Sequence, residues 1–240
     1  MLEFSHFSKT YRGGNRAVDD LTMKVEAGDL FGFIGHNGAG KTTAIRSAVG
    51  ILDFDGGDIL IDGQSIKTHP TECKKKLAYI PDNPDLYTYL TGIQYITFIA
   101  DMYEVKQARR DELIKKYSQA FEIEKDLGSF IETYSHGMRQ KLAIIAALVH
   151  EPKLLVLDEP FVGLDPKASH TLKGIMHEMC ASGGAIFFST HVLEVAEKLC
   201  NKIAIIKEGK LLACDTIERV KGVSSLEDVF LELIDSEGNI

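Results

Sequence analysis

Residues Gly35-His36-Asn37-Gly38-Ala39-Gly40-Lys41-Thr42 follow directly on the apolar run 30–34 and carry the spacing G-x-x-x-x-G-K-T. A strand that feeds a glycine-rich turn into a helix predicts an α/β fold with that turn at a sheet edge. The glycines let backbone N–H groups converge on phosphate oxygens, because side chains would block the approach and some positions need positive φ. Lys41 supplies a point charge for the β and γ phosphates. The Thr42 hydroxyl suits a place on Mg²⁺, Thr43 stands next in line, and a helix starting at Thr42 aims its positive end at the anion. The motif reads as a P-loop. A ligand-free turn between strand and helix is the plainer alternative, and the full spacing with its preceding strand weighs against it.

With 240 residues and 45% hydrophobic composition, the chain can bury a core as one large domain or two lobes. No apolar run approaches the roughly 20 residues of a spanning helix. Residues 1–6 show neither a basic n-region nor an apolar h-region, so no secretory signal is expected. Cys73, Cys180, Cys200 and Cys214 lack C-x-x-C spacing and read as reduced packing residues. The 27 basic and 35 acidic residues give a formal charge of −8, which opposes binding to nucleic acid. Lys74, Lys75 and Lys76 read as a solvated helix face.

Strand patterns are predicted over 2–7, 21–26, 30–34, 58–61 and 77–80, with a helix over 42–49. From residue 86 to about 134 glycines are few and apolar residues such as Ile93, Ile96 and Ile99 recur at helical spacing, predicting a mostly helical insert. The α/β rhythm then returns: helices over 139–149, 166–181 and 192–199 alternate with strands over 154–157, 185–189 and 203–207, predicting a mainly parallel sheet. The apolar strand 154–157 ends in Asp158, where a parallel sheet presents its C-terminal ends, so Asp158 is expected in the Mg²⁺ shell. Glu159 follows and is placed to polarise a water for in-line attack on the γ phosphate. Either acid alone reads equally well as an ordinary loop residue.

At this point the chain resembles the nucleotide-binding subunits of ATP-binding cassette (ABC) transporters over almost its whole length. Tyr134-Ser135-His136-Gly137-Met138 is similar to the L-S-G-G-Q signature, with His136 for the first glycine and Met138 for the glutamine. The resemblance implies that Ser135, His136, Gly137 and Met138 meet the γ phosphate of ATP held on an opposite subunit. Residues 161–165 resemble the D-loop, which gives Asp165 a part in coupling two ATP sites. Ser189-Thr190-His191 resembles the switch segment, with His191 contacting the γ phosphate. Tyr11 matches the aromatic that stacks on adenine, with Val18 as a second contact, although an isolated tyrosine here also reads as a surface residue. Tyr79-Ile80-Pro81-Asp82 resembles the Q-loop with Asp82 in place of glutamine, still facing Mg²⁺ and the attacking water.

The resemblance further implies a P-loop fold of ABC type, with a mainly parallel sheet core, an N-terminal antiparallel β part and a helical subdomain. Its expected boundaries are a core over about 1–85 and 139–215, a helical subdomain over about 86–138 and a short helical tail over 216–240. The implied cofactors are ATP and Mg²⁺. The implied partners are a second copy or homologous subunit, closing as an ATP sandwich, and a polytopic membrane permease. That permease would dock in a groove lined from about Pro84 to Tyr103, at the cytoplasmic face of a bacterial membrane. The stretch 225–233 resembles the tail of type-2 exporter or Ecs-like cassettes, which favours export. The rival reading is a soluble ABC ATPase acting in assembly, such as iron–sulfur cluster biogenesis.

Overall fold

A computed structural model describes residues 1–235; the end of the expected tail, 236–240, lies outside them. The first sheet contains β1 (Leu2–Thr10), β2 (Arg16–Val25), β4 (Gly56–Ile61) and β5 (Gln64–Ser65). It is antiparallel throughout, in the order β2-β1-β4-β5. The second contains β3 (Leu30–Ile34), β6 (Leu77–Ile80), β7 (Leu154–Asp158), β8 (Ala185–Thr190), β9 (Lys202–Lys207) and β10 (Lys210–Thr216). Its order is β10-β9-β3-β8-β7-β6, parallel except where β10 folds back on β9.

Every residue of β3, β7 and β8 is buried, as a parallel sheet covered on both faces requires. The period-two alternation of a strand divides their side chains between two cores. Phe31, Phe33, Val156 and Phe187 join Phe4, Phe7 and Val18 of the antiparallel sheet, together with Ala44 and Ile45 of α1 (Lys41–Ala48). Phe187 is the hub of this layer, with its ring centroid 5.4 Å from Phe33 and 6.0 Å from Phe4. Leu155, Leu157, Ile186 and Phe188 belong to the other core, with α5 (His136–Leu148), α6 (Pro166–Ala181) and α7 (Leu193–Leu199).

Between β6 and α5 lie α3 (Gly92–Met102), α4 (Gln107–Ala120) and two single 3₁₀ turns at Glu124–Asp126 and Ile131–Thr133. A reciprocal capping box between Thr91 and Gln94 starts α3. Ile96, Ala100, Leu113 and Phe121 bury one side of this segment in the α5 core.

Several elements depart from the sequence reading. α5 begins at His136 and not at residue 139, because the Ser135 hydroxyl accepts a hydrogen bond from Met138 N at 3.3 Å and caps a first turn that lacks apolar periodicity. β10 was not expected, and of α2 (Pro70–Lys76) the sequence reading gave only the solvated helix face at Lys74, Lys75 and Lys76. α2 buries only Cys73, too little to print a pattern on seven residues. β9 and β10 join through Glu208 and Gly209, with φ of 47° and 80°, as a two-residue primed turn demands. Glu-Gly is a weaker hairpin signal than Asn-Gly. The chain continues into α8 (Ile217–Lys221) and α9 (Leu226–Asp235).

His150 ties the inserted helices to the sheet. Its Nε2 lies 3.3 Å from the Leu77 carbonyl at the start of β6, and its ring stacks on Tyr103 at 3.7 Å and 14°. Burial pushes the imidazole pKa below its ordinary 6.5. The unfolded chain therefore binds a proton at this residue that the folded chain refuses, and the resulting stability is present above about 6.5 and lost as pH falls below it. Urea midpoints measured from pH 7.5 down to 5 should fall for the wild type and fall less for His150→Phe; parallel declines would remove His150 as the cause.

Candidate nucleotide site

A cleft of about 300 Å³ opens at the C-terminal ends of β3 and β7, lined by Tyr11, Asn15, Ala17, residues 36–38 and 40–43, Asp82, Asp158 and Glu159. Its floor is the loop 35–40. Gly38 and Gly40 have φ of 83° and 105°, and a Cβ at Gly40 would run into the Ala17 carbonyl. Gly35 is equally constrained, facing the Ile206 carbonyl. Gly209 N donates to Ala39 O at 3.0 Å, so the β9–β10 turn clamps one side of the loop.

Lys41 is buried and folded back on this loop, its Nζ donating to Gly35 O at 2.6 Å and His36 O at 3.1 Å. Burial lowers its pKa, while the nearby Glu159 and Asp158 carboxylates oppose that shift. Thr42 Oγ1 donates to Asp158 Oδ2 at 2.8 Å, and Ser189 Oγ donates to Asp158 Oδ1 at 2.5 Å. The pairing of β7 with β8 sets Asp158 opposite Ser189. The Ser189 hydroxyl also accepts from Glu159 N at 3.1 Å, which helps hold Glu159 in a left-handed backbone with φ 49°. His191 Nδ1 lies 2.8 Å from Glu159 Oε1. The Tyr11 hydroxyl is 3.2 Å from Thr43 Oγ1, and Asp82 Oδ1 accepts from Asn83 N at 2.8 Å.

Val18 is the exception among the residues expected at the base. It is fully buried: it is out of step with the alternating Leu21, Met23 and Val25, and the irregularity at left-handed Asp20 (φ 56°) turns it into the core between the sheets, so that Ala17 lines the cleft instead.

The segment Ser135–Met138 does not line the cleft of its own chain. It starts α5 beside the 161–165 turn, where a Cβ added at Gly163 would meet the His136 ring and one at Gly137 would meet the Gly163 carbonyl. Asp165 caps α6 by accepting from Ala168 N at 2.8 Å and pairs with Lys141 at 2.7 Å. Lys141, then the cap, holds the Asp165 carboxyl below its usual range. The sequence reading gave no part to Ser189, Asn15 or the Gly209 clamp. Ser189 was visible as a strand-end hydroxyl, whereas the other two depend on long-range packing.

Thr42 and Asp158 offer a hydroxyl and a carboxylate, the oxygen donors that Mg²⁺ prefers. Among the described residues no group of three or more His, Cys, Asp or Glu could hold a metal. A cation at Thr42 and Asp158 would therefore complete its shell from phosphates and water, as Mg²⁺ does at nucleotide sites, and the donor set fits it.

A second, smaller groove of about 190 Å³ runs between the exit of β6 and the helices α3 and α5. Pro84, Leu86, Tyr95, Ile99 and Tyr103 face the alanines 143, 146 and 147 across it. Tyr87, Tyr89 and Phe98 are large exposed aromatics nearby in the chain, and the Tyr87 ring lies 5.9 Å from both of the others. No helix among the described residues is long and apolar enough to cross a membrane.

Comparison with known proteins agrees with this geometry. A solved structure of an ATP-binding subunit of an ABC transporter superposes with a TM-score of 0.94 at 34% identity, covering 98% of this chain and 99% of that one. The ABC-type transporter ATP-binding protein EcsA of Bacillus subtilis (strain 168) is 33% identical over 224 residues, 91% of each protein. The bacitracin transport ATP-binding protein BcrA of Bacillus licheniformis is 35% identical over 214 residues, 88% of this chain and 68% of that protein. Residues 18–162 match the profile of the ABC transporter family, and the chain belongs to that family as an ATP-binding subunit.

Proposed function

We propose that this chain hydrolyses ATP and passes the resulting motion to a membrane-embedded permease at the cytoplasmic face of the membrane. The observation that carries the reading is the meeting of Lys41, Thr42, Asp158, Glu159 and His191 at adjoining strand ends. Residues 35–40 cradle the phosphates with their backbone N–H groups, and Lys41 leaves the loop carbonyls to meet the β and γ oxygens. Thr42 and Asp158 hold Mg²⁺, which neutralises phosphate charge when bound. Glu159 takes the proton of the attacking water, and His191, 2.8 Å away, orients that carboxylate and contacts the γ phosphate. Tyr11 stacks on the base, and Asp82 faces the metal and the attacking water.

Ser135 to Met138 stand away from the cleft of their own chain, which supports their acting on nucleotide held by a second copy or a homologous subunit. Two such chains would close as an ATP sandwich, with Asp165 near the junction. The groove between α3 and α5 offers the permease an apolar seat. Likeness to EcsA and BcrA, and the 225–233 tail, favour an exporter over a soluble assembly ATPase.

Glu159→Gln should bind ATP normally, lose roughly 100-fold or more in turnover and accumulate as an ATP-bound dimer on gel filtration. Unchanged turnover would rule Glu159 out as the base. Asp82→Gln should shift the Mg²⁺ concentration needed for tight binding of a fluorescent ATP analogue, and an unshifted titration would make Asp82 a bystander. Tagged Glu159→Gln, captured with ATP from detergent-solubilised membranes of its host, should bring down a polytopic membrane protein. Recovery of soluble partners alone would favour the assembly reading.

A further inference from the structure

The C-terminal helix α9 lies outside the matched segment 18–162, yet it reaches the phosphate loop. It starts firmly, with the Ser225 hydroxyl donating to Asp228 Oδ2 at 2.7 Å and accepting from Asp228 N at 3.1 Å. Its apolar residues 226, 229, 230 and 233 fall at helical spacing and form one face. Leu226 is fully buried and Phe230 is 6% exposed, both in the core that includes Leu199, Ile203 and Ile217. α9 packs on α7 and α8, and the pair Lys221–Glu197, at 2.9 Å, ties α8 to α7.

Beyond that core the Phe230 ring meets His36, with centroids 5.0 Å apart and planes tilted by 57°. His36 directly follows Gly35 in the loop, and its carbonyl accepts from both Ala39 N and Lys41 Nζ at 3.1 Å. The loop is thus held at two places by different means. Gly209 clamps Ala39 through backbone, while residues 36–38 are exposed and Phe230 braces the first of them through a side chain. The same helix packs on α7, which begins two residues after His191. One short helix at the far end of the chain therefore touches the loop that cradles phosphate and the helix that follows the switch strand.

We infer that α9 is a strap on the nucleotide site, with Phe230 a positioning residue that acts through His36. The ring keeps the exposed half of the loop near the shape that nucleotide requires, so less ordering remains to be done on binding. The inference rests on the nucleotide reading of the cleft. Its signature is a change in affinity with little change in kcat, because Glu159 and His191 are untouched.

Phe230→Leu retains apolar volume for the core and removes the ring. Kd for a fluorescent ATP analogue with Mg²⁺ should rise about three- to tenfold, the range of a single aromatic contact, with KM following and kcat nearly constant. Phe230→Tyr, which keeps the ring, should bind close to the wild type. His36→Ala should weaken binding by a similar factor, and the double variant should be no weaker than either single one. Wild-type affinity in Phe230→Leu, failure of Phe230→Tyr to rescue, or multiplicative effects in the double variant would each overturn the strap. A wild-type chain that binds no nucleotide would overturn the nucleotide reading, and the strap with it.

Discussion

Asp158 accepts hydrogen bonds from Thr42 and Ser189, and through them three parts of the chain far apart in sequence are held to one point. Thr42 lies in the first turn of the helix after β3, Asp158 ends β7 and Ser189 is the penultimate residue of β8. The carboxylate is 2% exposed, so both its oxygens need partners, and a buried acceptor left alone costs about 1–3 kcal/mol or more when charged. This demand fixes the register of β7 against β8 and the height of the phosphate loop above them. Glu159 and His191, the next residues along those strands, inherit their 2.8 Å spacing from it.

Much of this was legible because parallel strands buried on both faces read as short apolar runs, and the polar residue ending each run marks the sheet edge. Residues 154–157 followed by Asp158 are such a signal, and the run 30–34 is closed instead by the first glycine of the loop, Gly35. The burial of Val18 was less legible, because Leu21, Met23 and Val25 alternate while Val18 is out of step with them, and the left-handed Asp20 that shifts the register leaves no pattern in the sequence. The hairpin turn at Glu208 and Gly209 was illegible for another reason: its value lies in touching Ala39 and Asp19, contacts with no local trace.

The nucleotide cleft and the 135–138 turn are built by different physics. The cleft is tied together by buried polar groups and tolerates little movement, because each partner lost leaves an unpaired charge or hydroxyl. The start of α5 is held by one cap at Ser135, by close backbone packing against Gly163 and by the Lys141–Asp165 pair at 2.7 Å, whose carboxyl is half exposed. That ion pair is partly open to solvent, so this junction depends less on buried polar groups than the cleft does. Buried polar ties where chemistry is proposed and a more solvated junction where a second subunit is proposed to bind are consistent demands.

Glu159 and Glu208 share a left-handed backbone, with φ of 49° and 47°. At such a position a residue other than glycine gives up about 1–2 kcal/mol. At 208 the cost is incidental to a surface turn. At 159 the side chain faces His191, so the residue that would relax the backbone most, glycine, would also erase the carboxylate. Selection for a more stable chain and selection for an active one therefore pull the same codon in opposite directions.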